Sequence, residues 1–391
     1  MQSFMSIDLF QILSTEKKFR QDQVFRALFD AKLNSYADIT TLPANLREKL
    51  KDKPWLSVKL HVLQESKIDN TKKALLKLED GLLVEAVLMG RLRPGSAGTS
   101  TAEGRKTRYT ICISSQVGCG MKCAFCATGK AGFSRNLTPE EIVDQYRFWQ
   151  RYLASVPPLF KEGVGGGQID PTLTLPLKRE GIQGEIDNMV VMGQGEPLLN
   201  YENCKTALNI ILKYTNIGPS KITISTCGIP AVMDKLAADK DFPPVRFALS
   251  LHSAIESTRA MIMPSHQSGF LNYLVDWAKK YHQAYPSRSH FIGLEYIMLG
   301  GINDGPKDLK ALMTLASKLG KIKINLIPYN NISTVSAPSD FTESPKENIE
   351  CWHTTLMNAG FISTVRYSQG QDIAAACGQM RNAEEIKQIA K

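Results

Sequence analysis

The sequence predicts an α/β protein whose main part is an open, partial (β/α)6 barrel. Six apolar runs of strand length follow one another after residue 108, and helical stretches lie between them. Small polar motifs follow five of these runs. Strands that alternate with helices form right-handed βαβ units and a parallel sheet. The polar motifs should therefore meet at the carboxyl edge of that sheet, where barrels of this kind carry their functional residues.

Composition indicates a soluble, cytoplasmic enzyme rather than a membrane or secreted protein. The 391 residues are 43% hydrophobic and 22% charged, which is ordinary for a globular protein. Lys and Arg exceed Asp and Glu by 47 − 38 = 9, a basic balance that suits a nucleic-acid partner without establishing one. The first residues lack a secretory pattern, and no apolar run is long enough to span a membrane.

Residues 1–55 are predicted to form a small helical domain that precedes the barrel. An amphipathic run follows Ser14 and Thr15, and a second helix is expected over 46–50. The basic residues of this segment are Lys17, Lys18, Arg20 and Arg26. Two interpretations stay open: an RNA-binding accessory domain, or a helical cap over the barrel.

Residues 56–108 are predicted to form a short β extension and a basic loop. Alternating patterns at 73–78 and 82–89 indicate two antiparallel strands joined by a turn at 79–81. Glu85 lies inside the second strand, where a carboxylate is usually just the solvent-facing alternate residue. The loop carries Arg91, Arg93, Arg105, Lys106 and Arg108, which suits a phosphate contact or a disordered insertion.

The barrel is assigned to residues 109–380, and 381–391 form a C-terminal tail. The predicted strands are 109–115, 189–192, 222–225, 245–250, 291–298 and 322–327. Helices are predicted at 201–214, 230–238, 269–281 and 306–319, and another should begin after the Thr138 N-cap. Glycine and proline without periodicity mark 156–187 as a flexible surface insertion that the chemistry does not need.

Three cysteines, Cys119, Cys123 and Cys126, follow the first barrel strand at spacings of four and three residues. Thiolates are the usual protein ligands of iron–sulfur clusters, and three of them would leave one iron open to a non-protein ligand. The alternative is a structural zinc ion, which needs a fourth ligand, and no second Cys/His pair follows in the sequence. The spacing resembles the signature of the radical S-adenosylmethionine (SAM) enzymes, in which SAM chelates the open iron of a 4Fe-4S cluster.

Polar motifs at the ends of later strands suit SAM itself. The Gly195-Glu196 pair resembles the motif of those enzymes that holds the amino group of SAM. The other candidates for cofactor binding are Ser225, Ser250, Leu251, His252 and Asn330. Each alone is typical of a strand-end cap, whereas together on one rim they make a binding site. We assign His252 to cofactor binding and not to proton transfer.

Cys112 and Cys377 are the two further cysteines of interest. By base rates either would be a small buried hydrophobe, but the glycine-flanked, polar surroundings of Cys377 suit a thiol presented to a substrate. Cys204, Cys227 and Cys351 have no supporting motif and are interpreted as structural.

With these residues in hand, the chain resembles the RlmN/Cfr family of radical-SAM RNA adenine methyltransferases. The similarity runs from the N-terminal helices to residue 380, apart from insertions near 94–107 and 156–187. Its most specific marks are the motifs at 112–119, 195–200, 250–252 and 375–379. The chain departs from the family at Gln194, where Met is common, and at Cys227, where Ser is common.

The resemblance implies a methyl-carrier mechanism that uses two SAM molecules in each turnover. Cys377 would take a methyl group from one SAM. The cluster held by the three cysteines would reduce a second SAM, and the 5′-deoxyadenosyl radical would abstract a hydrogen from the methyl on Cys377. The resulting methylene radical would add to an adenine carbon. Glu85 would remove the proton of that carbon, and Cys112 would attack the sulfur of Cys377 to release the RNA.

The RlmN branch of the family, which the chain resembles, methylates carbon 2 of an adenine in 23S rRNA and in tRNA. The implied partners are therefore 23S rRNA, tRNA and an electron donor such as flavodoxin, with no membrane, and we expect a monomer. Two alternatives stay open: carbon 8 methylation of the same rRNA adenine, as in the Cfr branch, and a radical-SAM enzyme of another reaction class. An electron-transfer or RNA-binding module would not need the SAM residues.

Overall fold

A computed structural model describes residues 7–92, 107–155, 184–287, 290–330 and 341–373. The helices are Ile7–Ser14 (α1), Lys18–Leu28 (α2), Ala44–Leu50 (α3), Ala127–Lys130 (α4), Pro139–Ser155 (α5), Tyr201–Tyr214 (α6), Pro230–Ala238 (α7), Glu256–Ile262 (α8), Phe270–Ala284 (α9), Pro306–Ala316 (α10) and Lys346–Asn358 (α11). The strands are Val58–Glu65 (β1), Asn70–Leu78 (β2), Leu83–Leu92 (β3), Thr107–Ile113 (β4), Gln116–Gly118 (β5), Phe133–Asn136 (β6), Ile186–Val191 (β7), Ile222–Thr226 (β8), Arg246–Ser250 (β9), Ile292–Met298 (β10), Ile322–Pro328 (β11) and Ser363–Val365 (β12). None of the helices in these ranges is both long and apolar enough to cross a membrane.

Ten of the strands form one sheet in the order β1-β2-β3-β4-β7-β8-β9-β10-β11-β12. In this sheet the strands from β4 to β12 are parallel to their neighbours. Helices α5 to α11 lie between these strands in the sequence. All six predicted barrel strands are present and lie side by side in sequence order (β4, β7, β8, β9, β10, β11), so the predicted α/β fold class is confirmed. β12 and α11 were not predicted, and β12 adds a seventh parallel strand of only three residues.

The antiparallel extension β1–β3 continues the same sheet, because β3 pairs with β4. The predicted hairpin is present, and Gly81 in its turn has a left-handed φ of 87°. Residues that lie directly opposite in neighbouring strands point to the same face of the sheet. Lys73, Val87 and Cys112 form such a row across β2, β3 and β4.

The sheet is open between β1 and β12, but the chain after β12 returns to the β1–β2 turn. Asp69 accepts the backbone N–H of Gly370 at 2.8 Å. Asp372 accepts the Ser66 hydroxyl and the Lys67 backbone N–H, each at 2.7 Å. The segment that leads toward residue 377 is thereby attached to the opposite edge of the sheet.

The N-terminal helices pack against the outer helices of the barrel. Phe25 of α2 stacks on Tyr214 of α6 at 5.3 Å between ring centroids. From α5, Arg147 donates to the carbonyls of Leu28 and Trp55 at 2.8 and 2.7 Å. The predicted helical segment therefore caps this side of the barrel, while its proposed contact with RNA stays a prediction.

Local hydrogen bonds explain where α5 begins. Thr138 and Glu141 form a reciprocal capping box, with N–H to side-chain oxygen distances of 3.2 and 2.8 Å. The predicted insertion that follows α5 ends too late by at least two residues. Ile186 and Asp187 belong to β7, where Asp187 accepts the backbone N–H of Tyr109 at 2.9 Å, and residues 156–183 lie outside the described ranges.

Arg147 of α5 should contribute strongly to the attachment of the N-terminal helices, because it donates to Leu28 and Trp55 and forms a buried ion pair with Asp144 on its own helix. Both side chains are at most 2% exposed. Replacing Arg147 by Met would leave the buried Asp144 without its cationic partner and remove the bonds to the Leu28 and Trp55 carbonyls, and it should lower the free energy of unfolding by about 3–5 kcal/mol in urea titrations. The matched control is Lys279→Met, which removes an exposed pair and should change it by less than about 1 kcal/mol. Equal effects of the two substitutions would show that the buried pair contributes no more to stability than an exposed one.

Candidate active site

The cysteine loop lies between β5 and α4, at the carboxyl end of β4. Two backbone hydrogen bonds hold it: Cys119 N–H to Gly132 O at 2.8 Å, and Ala124 N–H to Ile262 O at 2.9 Å. The loop packs on a small apolar cluster that includes Ile262, Met263 and Tyr329. Burial raises the pKa of the Cys119 thiol to about 12 and also raises that of Cys126, and the charge of neighbouring thiols adds to both effects. Metal ions bind the deprotonated sulfur, so a bound cation would stabilise the thiolate form of these buried cysteines.

The donor set of this loop fits an iron–sulfur cluster. Cys119, Cys123 and Cys126 interact electrostatically with one another, which places the three sulfurs in one neighbourhood. A structural zinc ion needs four converging ligands. Within the described ranges, no group of three His, Cys, Asp or Glu side chains is arranged to hold a single metal ion. Thiolates are the usual protein ligands of iron–sulfur clusters, so three of them on one short loop suit a cluster better than a zinc ion.

The Gly195-Glu196 turn follows β7 and lies against the end of β4. Gly195 has a φ of 103°, and a Cβ atom there would lie 2.6 Å from the Gln116 side chain. Gln116 in turn accepts the Glu196 backbone N–H at 2.8 Å. Only glycine suits this position, since it combines a left-handed φ with a close side-chain approach.

The Glu196 carboxylate joins this turn to the turn after β8. Its two oxygens accept the backbone N–H groups of Leu198 at 2.9 Å and Cys227 at 2.7 Å. Burial raises the pKa of Glu196, while these N–H groups oppose that rise. The carboxylate is therefore a structural link between two strand ends in addition to any contact with a ligand.

Cys227 lies beside the cysteine loop, which its interpretation as a structural residue did not anticipate. Its sulfur is 3.9 Å from that of Cys123. The S–H of Cys227 holds the pKa of the Cys123 thiol below its ordinary value, and its own pKa is raised. Arg259 donates to the Cys227 carbonyl at 2.6 Å and lies beneath the same turn.

His252 occupies the turn after β9 in a left-handed conformation with a φ of 57°. Its Nδ1 accepts the Ile297 backbone N–H at 3.1 Å, and its ring meets Phe125 of the cysteine loop edge-on at 4.7 Å. Burial lowers the pKa of His252 to about 3, and the Arg259 charge contributes. The ring is thus neutral with its proton on Nε2, held against the cysteine loop, and unsuited to take up a proton at neutral pH.

The remaining SAM candidates lie along the same sheet edge. The hydroxyls of Ser225 and Ser250 are 3.4 Å apart at the ends of β8 and β9. Leu251 is buried, and its backbone N–H donates to Glu295 O at 3.0 Å. Asn330 follows β11 and donates to the Ser368 hydroxyl at 2.5 Å. The structure therefore brings together the cysteine loop and the turns at Glu196, Cys227 and His252, with Asn330 on the end of a neighbouring strand.

Glu85 and Cys112 lie on adjacent strands of the extension and the barrel. Glu85 does not face solvent, as a carboxylate in an alternating strand usually does, because its side chain is 2% exposed and pairs with Lys73 at 3.1 Å. Burial raises the pKa of the Cys112 thiol to about 12, and the charge of Lys73 opposes this rise. Lys73, like Cys227 and Arg259, was missed in the sequence, where a lysine in an alternating strand is usually exposed. Cys377 lies outside the described residues.

Comparisons with known proteins agree with this arrangement. The chain is 35% identical over 369 residues to the probable dual-specificity RNA methyltransferase RlmN of Microcystis aeruginosa, and the alignment covers 94% of both chains. It is also similar to the crystal structure of a radical SAM methyltransferase from Sphaerobacter thermophilus, with a TM-score of 0.76, 27% identity, and coverage of 97% of this chain and 98% of that one. No protein-family model matches the chain.

This similarity extends over nearly the whole length of both relatives, at 94% and 98% of their chains. The chain therefore belongs to the RlmN family of radical-SAM RNA methyltransferases.

Proposed function

We propose that this protein transfers a methyl group to carbon 2 of adenine in both 23S rRNA and tRNA, using two SAM molecules in each turnover. The observation that carries the proposal is the placement of Glu85 and Cys112 on neighbouring strands of the sheet whose carboxyl edge holds the cysteine loop. A buried carboxylate and a thiol at such a position suit a reaction that ends with proton removal and sulfur exchange.

Adenine carbon 2 is electron-poor and does not attack a methyl donor directly, so the methyl group needs a carrier. When bound, the 4Fe-4S cluster and SAM supply the methyl group, the radical that activates it and a one-electron acceptor for the adduct. Cys377 carries the methyl group on its sulfur and becomes joined to the RNA through it. Glu85 then takes the proton from carbon 2.

Release of the RNA falls to Cys112. Its thiolate forms an S–S bond with Cys377, the C–S bond to the RNA breaks, and the carbon retains that electron pair and takes a proton to become the methyl group. The resulting disulfide is reduced by an external two-electron reductant before the next turnover. An electron donor such as flavodoxin is the proposed protein partner of the enzyme. The enzyme acts as a monomer in the cytoplasm.

We assign the cofactor roles to residues along the carboxyl edge of the sheet. Cys119, Cys123 and Cys126 hold the cluster, and Gly195, Glu196, Ser225, Ser250, Leu251, His252 and Asn330 contribute to binding SAM. His252 keeps Nδ1 occupied by a backbone N–H, so it can offer only its Nε2 proton to the cofactor. Its contact with Phe125 links the cofactor site directly to the cluster loop.

The N-terminal domain, residues 1–55, offers a surface for the RNA backbone. Lys17, Lys18 and Arg26 are exposed, and Phe19 between them is 52% exposed. An aromatic side chain among basic residues is typical of surfaces that stack on unpaired bases and contact phosphates. Two other basic candidates are already engaged, since Arg20 donates to Gln23 and Thr41, and Arg108 donates to Asn188 at 2.7 Å. Arg91 is exposed, whereas Arg93, Arg105 and Lys106 lie outside the described residues.

The first prediction concerns the carrier and the product. The cluster-loaded enzyme incubated with SAM should carry a methyl group on Cys377 by mass spectrometry, and digested RNA should contain 2-methyladenosine. The Cys377→Ala protein should show neither, whereas Cys112→Ala should accumulate a covalent protein–RNA adduct because the last step is blocked. An unmodified Cys377 in the loaded enzyme would refute the carrier mechanism. Detection of 8-methyladenosine in place of 2-methyladenosine would show that the enzyme methylates carbon 8.

The second prediction concerns the basic surface. Reversing two charges in Lys17→Glu/Lys18→Glu should weaken binding of an rRNA fragment about tenfold at low salt and flatten its salt dependence, because fewer counterions are released. The control is Lys310→Glu/Lys318→Glu, which reverses two exposed charges in and after α10. Equal loss of affinity in both proteins would mean that net charge, and not this surface, attracts the RNA.

The third prediction concerns the anchor before Cys377. Cys377 lies 377 − 373 = 4 residues beyond the last described residue, so its reach from Ile373 is at most about 14 Å. Asp372→Ala removes the acceptor for Ser66 and Lys67 and should slow turnover several-fold, with the cluster spectrum and melting temperature unchanged. Asp276→Ala, an exposed Asp on α9, is the control. Normal turnover of Asp372→Ala would show that the anchor does not position the carrier.

A further inference from the structure

A buried ion pair lies at the centre of the β2–β3 hairpin. Lys73 Nζ is 3.1 Å from Glu85 Oε2, and the two side chains are 0% and 2% exposed. Lys73 lies opposite Val87, and Val87 lies opposite Cys112. Glu85 precedes Val87 by two residues, so it shares their face of the sheet. The cation, the carboxylate and the thiol thus lie together on one face of three adjacent strands.

Stability alone does not account for this pair. Transferring two charges from water to the interior is costly, and apolar residues of similar volume are often as stable. The other lysines of β1 and β2 follow the usual pattern, since Lys59 and Lys77 are exposed and Lys72 is partly exposed beside Glu65. Only the lysine that faces Glu85 is buried among these four, which points to a role tied to that carboxylate.

A base that acts in the interior must stay ionised without water. A carboxylate at this depth without a nearby cation is driven toward its neutral acid, which cannot accept a proton from carbon 2. The Lys73 ammonium supplies the opposite charge at hydrogen-bond distance and fixes one carboxylate oxygen. The charge of Lys73 also acts on the Cys112 thiol. Lys73 therefore interacts electrostatically both with the proposed base, Glu85, and with the thiol proposed to release the RNA.

We propose that Lys73 is a positioning residue that supplies the opposite charge for the Glu85 carboxylate and orients it for removal of the carbon 2 proton. The inference rests on the proposed function, in which the proton passes from carbon 2 to a Glu85 oxygen before Cys112 exchanges the sulfur bond. Lys73 itself forms and breaks no bond in this sequence of steps. Its loss should therefore affect resolution of the protein–RNA adduct and leave the earlier methylation of Cys377 intact.

The experiment is a single turnover with enzyme that already carries the cluster and a methylated Cys377. Adduct and released RNA are followed on denaturing gels, and methylated adenosine is measured in the RNA. Lys73→Met should form the adduct but resolve it about 100-fold more slowly, as expected when a general base is disabled. Lys73→Arg, which keeps the charge, should resolve most of it. Lys77→Met, an exposed lysine on the same strand, should behave as the unaltered enzyme.

Lys73→Met alone leaves a buried charge without its partner and could unfold the protein. The double variant Lys73→Met/Glu85→Gln controls for this, because it removes both charges and leaves neither unpaired. It should resolve the adduct at the same slow rate as Glu85→Gln alone, since Lys73 acts through Glu85. A further loss in the double variant would overturn the proposal. So would normal resolution by Lys73→Met beside slow resolution by Glu85→Gln, or failure of Lys73→Met to methylate Cys377.

Failure of the proposed function would look different. An unaltered enzyme that forms no adduct and no methylated adenosine would refute the function itself. Fast resolution by Glu85→Gln would remove Glu85 as the base and the inference with it. Slow resolution by both Glu85→Gln and Lys73→Met, with Lys73→Arg active, supports the assignment of Lys73.

Discussion

The pairing of β3 with β4 is the interaction on which the rest of this structure depends. It joins the antiparallel extension to the parallel sheet through six residue pairs, from Val87–Cys112 to Leu92–Thr107. Without this pairing, Glu85 and Lys73 would belong to a separate hairpin with no fixed relation to the cysteine loop. Because hydrogen-bonded strands hold a register to within one residue, the pairing fixes which side chains share a face with Cys112. A local backbone interaction thereby determines the composition of the proposed reaction site.

Buried charges mark the places where this fold departs from ordinary packing. Glu196, Glu85, Lys73 and Arg259 are each at most 2% exposed, and each has a defined partner or backbone contact. Glu196 accepts the backbone N–H of Cys227, and Arg259 donates to the carbonyl of the same residue. That turn lies against Cys123, so the positions of these charges determine the shape of the cluster loop's surroundings. Such costly groups are retained where they orient other groups, and here they surround the cysteine loop and the Glu85–Cys112 pair.

The sequence predicted the barrel well because strand and helix periods alternate clearly after residue 108. Helices 201–214 and 230–238 were predicted with their observed bounds. Other features depend on contacts that no local pattern encodes. The three residues of β12 are too few to show a period. The alternation in β2 and β3 predicts that Lys73 and Glu85 share one face of the sheet, but it does not predict that this face is buried. Likewise, the position of Cys227 beside Cys123 follows from two strand ends meeting 104 residues apart.

The open sheet and the attached C-terminal segment suit one mechanical requirement of a carrier cysteine, the role proposed for Cys377. A residue that accepts a methyl group, joins the substrate and then meets Cys112 has to reach several partners, which a residue fixed in a strand does not do. At the same time its reach has to be limited, because an unrestrained chain spreads a thiol over a large volume and lowers its effective concentration at each partner. Gly370 and Asp372 are attached to the β1–β2 turn, and only a few residues of chain separate them from Cys377. This attachment limits the volume that the Cys377 thiol can reach. The two free edges of the sheet are therefore connected by the segment that leads to Cys377.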